Sequence, residues 1–175
     1  AEDAVATFEF GANGTATHAD GSSKTSYTET SGSYTLTLSG MSSVYGSARD
    51  AKGNSCLKLG TSSKTGTFSF TVPSDVTKVI IQAAKYKANT SKVSVNGSTY
   101  TLTGASNEGV YDSIEVNTSS TKTVTFATVS GGVRCMVNSI AFYTGEAAPV
   151  EPELKISTSA AYAIVGGANV QFTAI

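Results

Sequence analysis

The sequence is poor in charge and in long apolar runs, and each shortage excludes a class of function. Charged residues make up 14% of the chain and the formal net charge is −1. A nucleic-acid binder that relies on a basic field is therefore excluded, as are a polybasic membrane patch and a polyacidic tail. Apolar residues come in short pieces, far from the roughly 20 in a row that a bilayer span needs, so membrane insertion is not expected.

The residues that usually carry catalysis or hold metals are also scarce. His18 is the only histidine, and no Ser or Cys arrangement points to it. Cys56 and Cys135 are far apart and lack the spacing of metal ligands. The 13 acidic residues leave a chance carboxylate pair for glycoside hydrolysis open, but nothing in the sequence indicates one. We expect no enzyme activity and no cofactor. A structural calcium ion held by the loop at Asp20 or at Asp50 stays open, although an ordinary turn aspartate is the preferred interpretation of each because no calcium-motif spacing is present.

From Tyr34 to Tyr143 the sequence is dominated by short segments in which apolar and polar residues alternate. A period of two is typical of half-buried strands, so the pattern predicts an all-β fold, an antiparallel sandwich or barrel. Predicted strands include 5–10 (Phe8 and Phe10 inward, Glu9 outward), 34–38, 57–59, 66–72, 78–84, 92–96, 98–103, 113–117, 122–127 and 134–143.

Three local features refine this prediction. Asn96-Gly97 between two alternating segments is the residue pair of a type I′ hairpin turn. The segment 134–143 is apolar on both faces, which favours a central strand. The segment 39–55 predicts a long loop that carries Tyr45, Arg49 and Asp50.

The composition changes at Gly145. Residues 146–153 contain Pro149 and Pro152 among acids and small residues, which predicts a linker. We therefore expect a β-sandwich module over 1–145, a linker over 146–153, and over 154–175 the truncated start of an immunoglobulin-like domain. A fragment of that size cannot bury its own core, so the natural protein is expected to continue past Ile175.

Five segments of the chain are distinctive: NSCLKLG (54–60), TGTFSFTVP (65–73), VIIQAAKYKAN (79–89), VSVNGS (93–98) and GVRCMVNSI (132–140). Together they resemble galactose-binding-like jelly-roll modules, the architecture of many carbohydrate-binding modules, from secreted multidomain proteins of gut anaerobic bacteria. It implies an antiparallel jelly-roll β-sandwich beside a bacterial immunoglobulin-like domain. Many carbohydrate-binding modules present a Trp platform, and this chain has no Trp.

The resemblance and the loops together predict a non-catalytic, extracellular or cell-surface module that binds a glycan and is covalently linked to neighbouring domains. A structural or adhesive spacer with no small ligand is the alternative. An accessory domain packed on a nuclease or protease is a third. Fold alone does not decide among them.

The candidate glycan site lies where the loops after Leu59, Lys85, Thr103 and Thr128 share one end of the sandwich. Tyr86 and Tyr111 are the candidate stacking rings, because sugars place their C–H faces on aromatic rings. The polar candidates are Lys87, Asn89, Asn107, Glu108 and Arg134. In the competing interpretation Tyr86 caps the core and the others are solvated loop tips.

Two further surfaces of the predicted sandwich carry polar side chains. The loop with Tyr45, Arg49 and Asp50 is the rival site, because long loops are often functional. The outward residues Lys58, Ile80, Gln82, Lys92 and Ser94 predict a solvated sheet face.

By the alternation, Cys56 and Cys135 both face away from the core. They are expected either to form a disulfide, if their strands are neighbours, or to remain two separate thiols.

Overall fold

The computed structural model describes residues 2–10, 23, 25–87 and 89–145. The predicted linker, the immunoglobulin-like segment, His18 and Asp20 lie outside these residues.

The described chain consists of strands and turns. No helix in this part is long and apolar enough to cross a membrane. The twelve strands are β1 (Ala6–Glu9), β2 (Tyr27–Ser31), β3 (Tyr34–Ser42), β4 (Val44–Arg49), β5 (Ser55–Leu59), β6 (Thr67–Thr71), β7 (Lys78–Lys85), β8 (Ser91–Val95), β9 (Ser98–Leu102), β10 (Asp112–Asn117), β11 (Thr123–Thr128) and β12 (Cys135–Tyr143).

The strands form two antiparallel sheets that pack face to face as a sandwich. The first sheet has the order β10-β7-β12-β5-β4, with β1 also paired to β12. The second has the order β2-β3-β6-β11-β8-β9. From β5 to β7 and from β9 to β12 the chain alternates between the sheets, as it does in jelly-roll sandwiches. The all-β antiparallel sandwich expected from the sequence is confirmed.

The core lies between the two sheets and is rich in phenylalanine. Phe68 and Phe126 stack with ring centroids 5.0 Å apart, and Phe8 meets Phe142 edge to face, also at 5.0 Å. These rings are fully buried. Phe8, Phe68 and Phe126 come from the apolar phase of alternating segments, so the period of two accounts directly for their place in the core. Phe142 comes from β12, which is apolar on both faces.

Three local predictions are confirmed. Phe8 and Phe10 are buried while Glu9 between them is exposed. Asn96 and Gly97 both have positive φ, 48° and 86°, as a type I′ turn requires, and they join β8 to β9. β12 is central, since β7 pairs along one side of it and β5 and β1 along the other.

The predicted long loop 39–55 is wrong. Most of it is strand: β3 extends to Ser42, and β4 pairs with β5 from Val44 to Arg49. β4 is an edge strand made largely of small residues, so it lacks the apolar alternation that marks the others. β2 was not predicted either, because Tyr27 is its only apolar residue.

The prediction that both cysteines face away from the core is wrong for Cys135. The register of β12 shifts between Val137 and Ser139, so Asn138 forms a bulge. The extra residue of a bulge reverses which face of the sheet the following side chains take. Cys135 and Val137, before the bulge, therefore face the core, and so does Ile140, after it. Cys56 is buried outside the main core, and both thiols are free.

Candidate functional site

A five-residue turn between β4 and β5 forms one wall of the candidate site, and Asp50 organises it. One carboxylate oxygen of Asp50 accepts the backbone N–H groups of Lys52 (2.8 Å) and Asn54 (2.9 Å). The other accepts the side-chain amide of Asn54 at 2.9 Å. Arg49 donates from Nη1 to the carbonyl of Gly53 at 3.0 Å. An aspartate that binds the amides following it fixes such a turn in one conformation.

Tyr111 lies on the outer face of the first sheet, the face away from the second sheet, and joins this turn to β5. Its hydroxyl donates to Oδ2 of Asp50 and lies 3.1 Å from Sγ of Cys56. A phenol has one proton, which Tyr111 gives to the carboxylate. The single proton of the thiol has two acceptors within reach, the Tyr111 oxygen and the carbonyl of Asn54 at 3.7 Å. Nδ2 of Asn138 approaches the same sulfur at 3.7 Å. The four side chains form one connected hydrogen-bond network.

The network shifts the pKa of each ionisable member. Burial by itself raises the pKa of Asp50, but the hydrogen bonds from Tyr111, Asn54 and Lys52 outweigh it, and the net shift is downward. Burial and the bond to Asp50 raise the pKa of Tyr111, and burial raises the pKa of Cys56. The stable state therefore has an ionised carboxylate beside a neutral phenol and a neutral thiol.

The loop between β9 and β10 packs against the turn. Ala51 N–H donates to the carbonyl of Ser106 at 2.9 Å. Gly109 has a φ of 63°, and a Cβ there would lie 2.8 Å from the side-chain carbons of Lys52. The lysine stem therefore lies directly on the glycine, and a larger residue at 109 would displace it.

These elements enclose a pocket of about 520 Å³, which we call the outer-face pocket. Its size is in the range of small-ligand sites, roughly 300–1,000 Å³. Charged and amide side chains make up half of its lining residues, and Tyr111 supplies the aromatic ring. Phe10 borders the pocket, but its ring is buried in the core against Tyr27. The pocket is lined by Glu9, Phe10, Arg49, Lys52, Gly53, Asn54, Ser55, Gly109, Tyr111 and Asn138.

The predicted site residues fall into two groups. The four predicted loops are joined by backbone hydrogen bonds, among them Lys85 N to Gly104 O (2.8 Å), Tyr86 N to Arg134 O (3.3 Å) and Gly132 N to Thr61 O (3.1 Å). Tyr86, Lys87 and Arg134 come together there. Tyr111 instead lines the outer-face pocket with Arg49, a residue of the rival site.

Tyr86 is half-buried, and three cationic side chains lie close to its ring. Lys58 Nζ, Lys87 Nζ and Arg134 Cζ lie 5.7, 5.4 and 5.6 Å from its centroid. Lys58 Nζ is also 4.7 Å from the ring of Tyr45.

The remaining predicted candidates, Asn89, Asn107 and Glu108, are exposed on their turns. None of the three lines the outer-face pocket. The binding roles of all seven predicted residues stay predictions.

Sequence reasoning missed most of the pocket wall. Glu9 was predicted only as an outward strand residue, and Asn138 was hidden by the bulge. The run from Asp50 to Asn54 (DAKGN) does carry the signal of a tight turn, Asp at its start and Gly near its end. A turn at 50–54 implies a strand before it and another after it, in place of the predicted loop 39–55.

The described residues contain no group of three or more His, Cys, Asp or Glu side chains that could hold a metal ion. Both carboxylate oxygens of Asp50 accept hydrogen bonds from the protein. The outward residues Lys58, Ile80 and Gln82 lie on the first sheet, and Lys92 and Ser94 on the second, so they do not form one face.

No family model and no curated protein matches the chain. Among solved structures, it is similar to a chain from work on glycan recognition by the Ruminococcus flavefaciens cellulosome, with 18% identity, a TM-score of 0.36, and 80% of this chain and 93% of that one covered. It is also similar to the exo-β-1,3-galactanase of Phanerochaete chrysosporium, with 17% identity, a TM-score of 0.39, and 81% and 29% covered. A third is the catalytic unit of a GH87 α-1,3-glucanase from Streptomyces thermodiastaticus, with 16% identity, a TM-score of 0.39, and 92% and 30% covered. The chain thus spans under a third of either enzyme structure. These TM-scores are low, and the similarities carry no argument about this chain's ligand.

Proposed function

We propose that this chain is a non-catalytic carbohydrate-binding module that holds a glycan in the outer-face pocket. The observation that carries the proposal is the pocket itself, a concave site of about 520 Å³ with convergent polar side chains on a rigid sheet. The proposal also includes an extracellular or cell-surface location and covalent linkage to other domains of a larger protein.

The side chains of the pocket match the chemistry of a sugar. A pyranose offers several hydroxyl groups, each a donor and an acceptor. Arg49 gives one N–H to Gly53, which leaves other guanidinium donors for a ligand. Glu9 supplies a carboxylate acceptor, and Asn138 supplies amide groups. The ring of Tyr111 provides apolar wall for a C–H face.

The pocket is also pre-organised. Asp50 holds the 50–54 turn with three hydrogen bonds from within it, and Tyr111 fixes the turn to β5. A wall that is ordered before the ligand arrives loses little conformational entropy on binding, which favours affinity for a small, polar ligand.

The test is a screen of the purified protein on immobilised plant, host and microbial polysaccharides, with Arg49→Met and Lys92→Met compared with wild type. Both variants remove one positive charge, but Lys92 is exposed on the second sheet, away from the pocket. We expect binding to at least one neutral polysaccharide, weakened roughly 10- to 100-fold by Arg49→Met, as for loss of a hydrogen bond to a charged group. Lys92→Met should bind like wild type.

Absence of binding to every polysaccharide would contradict the proposal and favour the structural spacer. Equal binding by Arg49→Met and wild type would contradict the assignment of the pocket.

A further inference from the structure

Three cationic side chains crowd around one aromatic ring at the surface of the first sheet. We call Tyr45, Lys58, Tyr86, Lys87 and Arg134 the basic patch. Its cations lie 5.4 to 5.7 Å from the centroid of Tyr86, and Lys58 also faces Tyr45 at 4.7 Å. Cations at such distances are attracted weakly to the rings, which therefore hold the positive charges together.

Within the described part of the chain, no carboxylate pairs with these cations. The ion pair found there joins Lys78 to Glu2, and Lys78 begins β7 whereas Tyr86 follows its end. Like charges gathered in this way repel one another, and an anion that enters between them relieves this repulsion. The chain as a whole is nearly neutral, so the positive field is local.

The basic patch continues the outer-face pocket along the same sheet face. Lys58 and Cys56 are two residues apart on β5 and therefore point to the same side, about 7 Å apart along the strand. Cys56 contacts the hydroxyl of Tyr111, and Tyr111 lines the pocket. A short oligosaccharide that leaves the pocket in this direction reaches the cations.

We propose that the basic patch binds the carboxylates of an acidic polysaccharide, so that the module recognises a uronate-bearing glycan across both sites. This inference rests on the proposed function of the outer-face pocket. A uronic acid carries one carboxylate on each pyranose ring, and the planar guanidinium of Arg134 matches a carboxylate with two parallel hydrogen bonds. Lys58 and Lys87 supply point charges beside it.

The experiment measures binding of the wild-type chain by isothermal titration calorimetry to polygalacturonate and to its fully methyl-esterified form. Esterification keeps the sugar backbone and removes its charge. We expect polygalacturonate to bind more tightly, and the difference to shrink as salt is raised, because exposed ion pairs are screened. Lys58→Met and Arg134→Gln should each weaken polygalacturonate binding by about two- to fivefold. Lys92→Met, with the same loss of charge on the other sheet, should not.

Several outcomes would overturn this inference. They are no binding of polygalacturonate, equal binding of the esterified form, or equal weakening by Lys58→Met and Lys92→Met. Binding of poly-glutamate as tightly as polygalacturonate would assign the patch to acidic peptides instead.

Failure of the two proposals can be told apart. If Arg49→Met binds every polysaccharide like wild type while Lys58→Met and Arg134→Gln weaken polygalacturonate, the pocket assignment fails and the patch stands. If Arg49→Met weakens polysaccharide binding while Lys58→Met and Arg134→Gln do not, the patch assignment fails and the pocket assignment stands.

Discussion

Replacing Tyr111 by Phe removes one oxygen from the network that holds the pocket wall, and its effect can be worked out from the structure. The hydroxyl donates to Asp50, a residue that is only 7% exposed, and lies 3.1 Å from Sγ of Cys56. A hydrogen bond to a charged group contributes about 1.5–3 kcal/mol. Since Tyr111 is itself only half-buried, we expect roughly 2 kcal/mol, which lowers the melting temperature of a domain of this size by roughly 4–8 °C.

The loss should depend on pH. The pKa of Asp50 in the folded chain lies below its ordinary value of 3.8, so the ionised carboxylate stabilises the fold above that pH, and the contribution disappears as the pH falls through the folded-state pKa. Tyr111→Phe removes one of the hydrogen bonds that lower the pKa of Asp50 and leaves its burial, so the pKa of Asp50 should rise. The stability difference between wild type and Tyr111→Phe should therefore be full at pH 7 and should shrink below about pH 4.

Urea unfolding of both proteins at pH 7 and at pH 3 measures this difference. Tyr100→Phe is the matched control, because Tyr100 packs against the core and takes no part in the network, so it should change stability by less than about 0.5 kcal/mol. The reasoning is refuted if the two substitutions cost the same, or if the cost of Tyr111→Phe is unchanged between pH 7 and pH 3.

Three further predictions concern the fold. Phe126→Ala opens a cavity at a fully buried stacked ring and should cost about 3–5 kcal/mol in urea unfolding; a cost near 1 kcal/mol would contradict the packing described. Gly104→Ala places a Cβ 2.5 Å from the carbonyl oxygen of Val110 and should lower the free energy of unfolding by about 1–3 kcal/mol. Thermal melting measures the loss, and an unchanged melting temperature would contradict the close contact between residues 104 and 110. Cys56 and Cys135 are free and buried, and burial raises the pKa of both thiols. Ellman's reagent at pH 8 should therefore find no reactive thiol in the folded protein and two after unfolding. A thiol that reacts rapidly in the folded protein would argue against the burial of these side chains.

Much of the fold could be predicted because alternation reports burial directly. Segments with regular alternation, such as those with Phe68 and Phe70 or with Val124 and Phe126, form strands with these side chains inward. Alternation fails where a strand has few apolar residues. β2 and β4 lie at the ends of the strand order in their sheets and are polar or made of small residues, so their pairing depends on backbone hydrogen bonds that the side chains do not reveal.

The site was harder to predict because it depends on features with no periodic signal. The bulge at Asn138 reverses the phase of β12, which explains both the wrong orientation of Cys135 and the omission of Asn138. The contact between Tyr111 and Asp50 joins residues far apart in sequence. Such a contact follows from the order of strands in the first sheet, which the sequence pattern did not determine.

The most direct test of the central claim is to locate the ligand on the protein. Titration of the ¹⁵N-labelled chain, followed by NMR, with the neutral oligosaccharide that corresponds to the best polysaccharide of the screen would do so. The account predicts that the largest amide shifts fall at the outer-face pocket, at Gly53, Ser55, Gly109 and Asn138. Shifts confined to the outer face of the second sheet, or no shift at saturating oligosaccharide, would contradict it.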